Sequence, residues 1–98
     1  GRAIAVQADV AVRADALRLF ETVDRELGTV TALVNNAGIT GPLTAMEDVD
    51  EAGLDRILGV NVRSLFWCCG EAVRRMARKH GGAGGAILNI GSIASRYG

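Results

Sequence analysis

One proline, one histidine, one tryptophan, one tyrosine and a single lysine, Lys79, are spread over 98 residues. Two phenylalanines complete an aromatic share of 4%, which leaves few rings for stacking bases. Eleven basic residues balance eleven acidic ones, so no net field draws in a polyanion or an anionic membrane surface, and nucleic acid is not expected as a partner. The two cysteines, Cys68 and Cys69, are adjacent, which makes a normal disulfide between them sterically poor. No Cys or His spacing resembles a metal site, so no metal is expected and a reducing, cytoplasmic setting fits best. Apolar runs stay well short of the roughly eighteen residues of a membrane span. The opening Gly1-Arg2-Ala3-Ile4-Ala5-Val6 lacks an initiator Met and the basic-then-apolar build of a signal peptide. The chain reads as if cut from something longer.

What is present is a soluble globular composition, 49% hydrophobic and 22% charged, enough for one domain at most. Residues 3–8 form a short, nearly continuous apolar run, the pattern of a strand covered on both faces. Asp9 ends it. From Val12 to Leu27, the residues Ala16, Phe20, Val23 and Leu27 recur at helical spacing and Gly28 stops the run. Ala32-Leu33-Val34 gives a second strand, closed by Asn35-Asn36-Ala37-Gly38, and Gly41-Pro42 marks an irregular loop. Acidic Glu47, Asp48, Asp50 and Glu51 suit the positive end of a helix dipole, and Arg74, Arg75, Arg78 and Lys79 suit the negative end. One long helix is therefore expected over 50–79, ended by Gly81-Gly82. A third strand follows at 86–90, then Gly91-Ser92. The order β-α-β-α-β implies an α/β fold with a parallel sheet and right-handed crossovers.

In open parallel sheets, ligands bind beyond the carboxyl ends of the strands, where loops diverge and helix N-termini point their N–H groups. Asp9, Asn35, Asn36 and Ser92 fall at such ends. Asn61 is a separate anomaly. It interrupts a helical stripe of Leu54, Leu58, Leu65, Cys69, Ala72 and Met76, where an unsatisfied amide costs on the order of 1–3 kcal/mol per group. Read from the residues alone, it is a core amide that fixes the helix, with a local kink beside Gly59. His80 reads as a surface residue, and Cys68 and Cys69 as core or interface thiols with no cation to activate them.

Asp9-Val10 after one strand, Asn35-Asn36-Ala37-Gly38 after the next, Asn61 within Val60-Asn61-Val62, and Gly91-Ser92 after the third occur in the order and at the intervals of a known family. The chain resembles the classical short-chain dehydrogenase/reductases. The resemblance covers essentially all 98 residues and implies a Rossmann-type doubly wound sheet, of which this chain supplies family strands 3, 4 and 5. It implies an oxidoreductase moving hydride between NAD or NADP and a carbonyl or alcohol carbon of a small molecule. Asp9 would accept a hydrogen bond from the adenine amino group and Val10 would pack on that ring. Asn35 and Ala37 would run along the adenosine ribose through their backbone, with Asn36 free to bond to neighbouring strands. Gly38 would let the backbone approach the cofactor. Ser92 would hold the substrate oxygen, with Ser95 a less favoured neighbour. Asn61 would hold, through its backbone carbonyl, a water in a proton relay. A homodimer or homotetramer through the helix 50–79 is implied, with the second apolar row, Val62, Phe66, Val73 and Ala77, facing the other copy.

Two family features are missing from these residues. None of the thirteen glycines forms a Gly-rich strand-to-helix phosphate loop. Nor is there a Tyr-x-x-x-Lys pair, in which the Lys cation lowers the Tyr pKa for proton exchange with substrate. Tyr97 lies only five residues after Ser92, against a family interval of about a dozen, and Lys79 lies upstream. The expectation is a central part of one NAD(P)-binding domain, inactive alone. The alternative is a non-catalytic or truncated scaffold of the same fold, and a remoter one is another Rossmann-type binding protein. The choice of NAD over NADP is set after strand 2 in this family, outside these residues.

Overall fold

The computed structural model describes residues 1–40 and 45–92. Its elements run α1 (Arg13–Glu26), β1 (Ala32–Asn35), α2 (Glu51–Leu58), a π-helical turn (Gly59–Arg63), α3 (Ser64–Met76) and β2 (Ala86–Asn89). Short 3-10 turns occupy Met46–Asp48 and Arg78–His80. The strands β1 and β2 pair in parallel, with Ala32 opposite Ala86 and Asn35 opposite Asn89. The α/β class, the parallel pairing and the helical crossover all match the expectation.

Parallel strands need a return run of chain between them, and α2 through α3 is that run. Asp50 starts it by accepting the Gly53 N–H at 2.7 Å, a side-chain cap in the position favoured for aspartate. Ahead of α1, by contrast, Val12 offers no side-chain cap. Asp15 in the first turn instead reaches back to accept the Asp9 N–H at 2.9 Å, placing a carboxylate at the positive end of the helix.

Both helices lie on one face of the strand pair. Ala16 and Phe20 of α1 meet Cys68, Ala72 and Met76 of α3 in the buried core, with Leu33 of β1 packed beneath. Arg75 locks the two helices together. Its guanidinium donates to Asp24 of α1 at 2.9 Å and to Glu71 at 3.0 Å, and lies 5.1 Å from the centre of the Phe20 ring. Desolvation opposes the Arg75 charge, but the Glu71 and Asp24 carboxylates outweigh it and hold its pKa above the ordinary value. Glu71 is itself buried and also accepts from Arg74 at 2.9 Å. On the opposite face of the strands, Val34 and Leu88 remain 59% and 56% exposed, so only one of the two helical layers of a doubly wound sheet is described.

Three expectations are corrected. Residues 3–8 form no strand: a strand needs a ladder partner for its N–H and C=O groups, and neither β1 nor β2 pairs with this segment. The helix over 50–79 is not one cylinder, since it passes through the π turn and ends where Ala77 turns extended at ψ 137°. The expected stripe through Leu54, Leu58 and Leu65 is also displaced. The π turn adds a residue, rotating α3 against α2 by about 100°, so that Ser64, Cys68, Glu71, Ala72 and Met76 face inward. Leu54 and Leu58 stay 45% and 39% exposed.

The glycine-rich connector fits tightly against the end of α3. The Gly84 N–H donates to the Met76 carbonyl at 2.7 Å and the Gly82 N–H to Ala77 at 3.0 Å. A methyl group at Gly82 would overlap the carbonyl oxygens of Arg75 and Met76. Gly82→Ala in the whole protein is expected to cost about 1–3 kcal/mol, the usual range for overpacking, measured as a lowered midpoint in urea unfolding with an unchanged slope.

Candidate functional site

The carboxyl edge of the strand pair gathers most of the residues singled out from the sequence. Gly38 lies three residues beyond Asn35 and Ser92 three beyond Asn89. Because Asn35 and Asn89 are paired in register, the two post-strand loops leave the same edge. Ser92 is exposed there. Ser95 and Tyr97, like the Gly41-Pro42 loop, lie outside the described residues.

Val10, Asn35 and Ala37 share the wall of one cavity of about 270 Å³, together with Asn36. Phe20 and Val23 of α1 close its other side. The lining is mostly apolar, with the two asparagines and Ser64 as polar points, the usual composition of a small-molecule site. Val10 is half-buried and packs against the core. Asp9, its neighbour, is exposed and faces a separate, larger cleft of about 1060 Å³ between the 7–12 segment and the 55–63 stretch.

A tight turn presents Asp9. The Val12 N–H donates to the Asp9 carbonyl at 2.9 Å, and the Ala11 N–H donates to Asp9 Oδ1 at 3.0 Å. This is the local aspartate-to-backbone bonding that favours Asp in turns. It orients the carboxylate before any ligand arrives.

The Asn35 side chain has a structural part that the sequence reading did not give it. Between β1 and β2 it is this side chain that ties the strands together. Its Nδ2 donates to Asn89 Oδ1 at 2.8 Å across the ladder and lies 3.4 Å from the Cys69 sulfur on α3. The Asn35 carbonyl accepts the Ile90 N–H at 3.0 Å, extending the pairing. Asn36 is exposed, because side chains alternate along an extended chain and Asn35 already takes the helix-facing side.

Asn61 sits within the π turn, a feature that often marks functional positions in helices. Its side-chain amide pairs with both backbone groups of Ile39, accepting the N–H at 2.8 Å and donating to the C=O at 2.8 Å. One amide thereby satisfies two backbone groups just past the Asn-Asn-Ala-Gly turn. Gly38 lies alongside, and a Cβ built there would sit 3.6 Å from Asn61 Oδ1, an ordinary contact. Nothing within the described chain therefore requires Gly38 to lack a side chain.

Sequence reasoning did not find three further participants. Trp67 of α3 donates its indole N–H to the Ala11 carbonyl at 3.2 Å, Arg13 stacks over its ring at 5.3 Å, and Gly59 backs onto Ala11. Trp67 lay on neither apolar row of the expected helix, and its signal was only that it is the sole tryptophan. Among the described residues, no group of three His, Cys, Asp or Glu could hold a metal ion, and no helix is long and apolar enough to cross a membrane. Burial, and then the neighbouring Cys69 and Glu71, push the Cys68 thiol above its ordinary pKa, which keeps it an uncharged core group. Asn61→Asp would keep the acceptor for the Ile39 N–H but set a carboxylate against the Ile39 carbonyl. It is expected to destabilise the whole protein by about 1–3 kcal/mol and to speed hydrogen exchange at the Ile39 amide, measured by NMR.

Comparison with known proteins accords with this geometry. The chain is 43% identical over all 98 residues to the uncharacterized oxidoreductase YgfF of Escherichia coli (strain K12), covering 40% of that protein. It is 38% identical over 91 residues to 2-(S)-hydroxypropyl-CoM dehydrogenase 3 of Xanthobacter autotrophicus (strain ATCC BAA-1158 / Py2), with 93% of this chain and 34% of that one aligned. Among solved structures, a short-chain dehydrogenase/reductase from Serratia marcescens BCRC 10948 superposes with a TM-score of 0.84 at 36% identity, over 97% of this chain and 36% of that one. The NADH-dependent reductase A1-R′ complexed with NAD superposes with a TM-score of 0.83 at 29% identity, over 95% of this chain and 39% of that one. The chain thus spans about two fifths or less of the length of these relatives. The short chain dehydrogenase family model matches residues 1–98 without remainder, and the chain belongs to the short-chain dehydrogenase/reductase family.

Proposed function

We propose that the whole protein carrying this chain is an NAD(P)-dependent oxidoreductase acting on a carbonyl or alcohol carbon of a small substrate, in a reducing, cytoplasmic setting. The observation that carries the reading is the convergence of Val10, Asn35, Asn36 and Ala37 on one cavity that runs along the open side of β1 from Val30 and reaches its carboxyl end. That is where such sheets bind nucleotides. Family membership supports it, as do a relative named as a dehydrogenase and a structural neighbour complexed with NAD.

The residues present suit the nucleoside half of such a cofactor. Asp9, held by its turn, accepts a hydrogen bond from the adenine amino group, and Val10 offers the apolar surface on which the ring lies. The backbone of Asn35 and Ala37 runs along the ribose. Gly38 lacks a Cβ although the chain leaves room for one, and that space admits the cofactor. When bound, the nicotinamide ring supplies or accepts hydride. Ser92 holds the substrate oxygen through its hydroxyl and stabilises charge that develops there. Asn61, its side chain committed to Ile39, keeps its backbone carbonyl in place to hold a relay water. The Tyr-x-x-x-Lys pair and the phosphate loop are absent from these 98 residues, so in this reading the segment has no activity alone.

The whole protein associates into a homodimer or homotetramer through the outer face of the helical run. Val62, Phe66 and Val73 are 42%, 71% and 39% exposed, a row of apolar side chains that two copies related by a two-fold axis cover at once.

The test is steady-state turnover of the whole protein with NAD+ and NADP+ against a panel of small secondary alcohols. Ser92→Ala is expected to lower kcat by roughly 10²–10³, as removal of one donor to a developing oxyanion does, while cofactor binding by titration stays intact. A protein that binds neither cofactor overturns the reading, and one that binds but does not turn over would instead be a scaffold. For the assembly, Phe66→Glu is expected to shift the sedimentation coefficient to that of a single subunit.

A further inference from the structure

We infer that Trp67 is a positioning residue for the adenine end of the cofactor site, acting through Ala11 on the Asp9 carboxylate. The inference rests on the cofactor reading above and extends it to a residue that does not itself touch the ligand.

Ala11 is engaged from both sides. Its carbonyl accepts the Trp67 indole N–H at 3.2 Å, and its N–H donates to Asp9 Oδ1 at 3.0 Å. Moving the Ala11 carbonyl therefore swings the adjoining peptide and, with it, the donor that aims the carboxylate. Gly59 limits the same residue from a third direction, since a Cβ at Gly59 would sit 3.2 Å from the Ala11 Cβ. The turn is thus seated against the helical run 56 residues further along the chain.

The indole is restrained in turn. Trp67 is half-buried and packs against the core, while Arg13, the first residue of α1, stacks its guanidinium over the ring at 5.3 Å. Such a cation over an indole face is attracted by the ring quadrupole. Asp9 itself is exposed among the described residues. An exposed carboxylate that must meet one exocyclic amino group needs its direction set by the protein, and the Trp67–Ala11–Asp9 series sets it. Core packing alone would call for an aromatic or aliphatic side chain at position 67, not for an N–H donor aimed at this carbonyl.

The test uses the whole protein and two dinucleotides, the adenine cofactor and its hypoxanthine analogue, in which an oxo group replaces the amino group that Asp9 recognises. Trp67→Phe keeps a ring for Arg13 and the core but removes the N–H. It is expected to raise KM for the adenine cofactor about five- to tenfold, the scale of one hydrogen bond, with kcat unchanged and KM for the analogue nearly unmoved. Preference for adenine then falls toward unity. In an Asp9→Ala background the same substitution is expected to add nothing, because the two residues act in series. Equal losses with both dinucleotides, or full additivity with Asp9→Ala, would assign Trp67 to packing and overturn the inference. Wild-type protein that does not distinguish the dinucleotides overturns it at an earlier point, by removing the role of Asp9. If Trp67→Phe does not fold, Trp67→Leu, which also removes the N–H, carries the same comparison, with a loss confined to the adenine cofactor as the expected result and equal losses with both dinucleotides as the contrary one.

Discussion

A single side-chain amide, that of Asn61, holds the helical return run to the loop that leaves β1. By pairing with both the N–H and the C=O of Ile39, it does for two separated segments what a ladder does for strands, and supplies partners that buried backbone groups otherwise lack. The other long-range contacts depend on the helix being placed there. With that point fixed, Cys69 comes to lie beside Asn35, Trp67 reaches Ala11 and Arg75 reaches Asp24 of α1. The π turn around Asn61 is part of the same arrangement, because it lets the amide face the loop while the residues after it turn a different side to the core.

The elements that were legible in the sequence are those whose signal is local. The spacing of Ala16 and Phe20 in α1, the short apolar runs of β1 and β2 and the acidic residues at the start of the helical run each report on their own neighbourhood, and each matches an element of the structure. What the sequence hid depends on partners far along the chain. Residues 3–8 carry the composition of a strand, yet composition supplies no ladder. Glu71 counts as polar in any periodicity, and only the guanidinium groups of Arg74 and Arg75 make its burial tolerable. A stripe drawn through Leu54 and Leu58 assumes an unbroken 3.6-residue period, which one added residue at the π turn defeats.

The candidate site divides along the same line. Asp9, Asn35, Asn36 and Ser92 were readable as strand-end positions because parallel topology sends strand ends to one edge. Val10 and Ala37, in contrast, entered only through the family resemblance. Val10, Asn35 and Ala37 line one cavity and Asp9 faces another. Asn61 was readable as an anomaly on an apolar stripe, though its partner was not. The part of the Asn35 side chain in joining β1 to β2 needed the register, since which of two adjacent side chains faces α3 is decided by the pleat. Trp67 needed three dimensions altogether: its target, the Ala11 carbonyl, carries no side-chain signature that a pattern could detect.

The connector between α3 and β2 has a bearing on which length changes this fold tolerates. Hydrogen bonds from Gly82 to Ala77 and from Gly84 to Met76 clip its base to the helix end, and the Ala86 N–H bonded to the Thr31 carbonyl begins the ladder just beyond. Shifting a strand by one residue would turn every side chain to the wrong face. Here the clip stands between the 3-10 turn at Arg78–His80 and the strand, so residues gained or lost in that turn extend or shorten an outward loop without reaching the register. Insertions are accommodated on the far side of the sheet from the Asn35–Ser92 edge, and the spacing of the site is insulated from variation at the other end of the same strand.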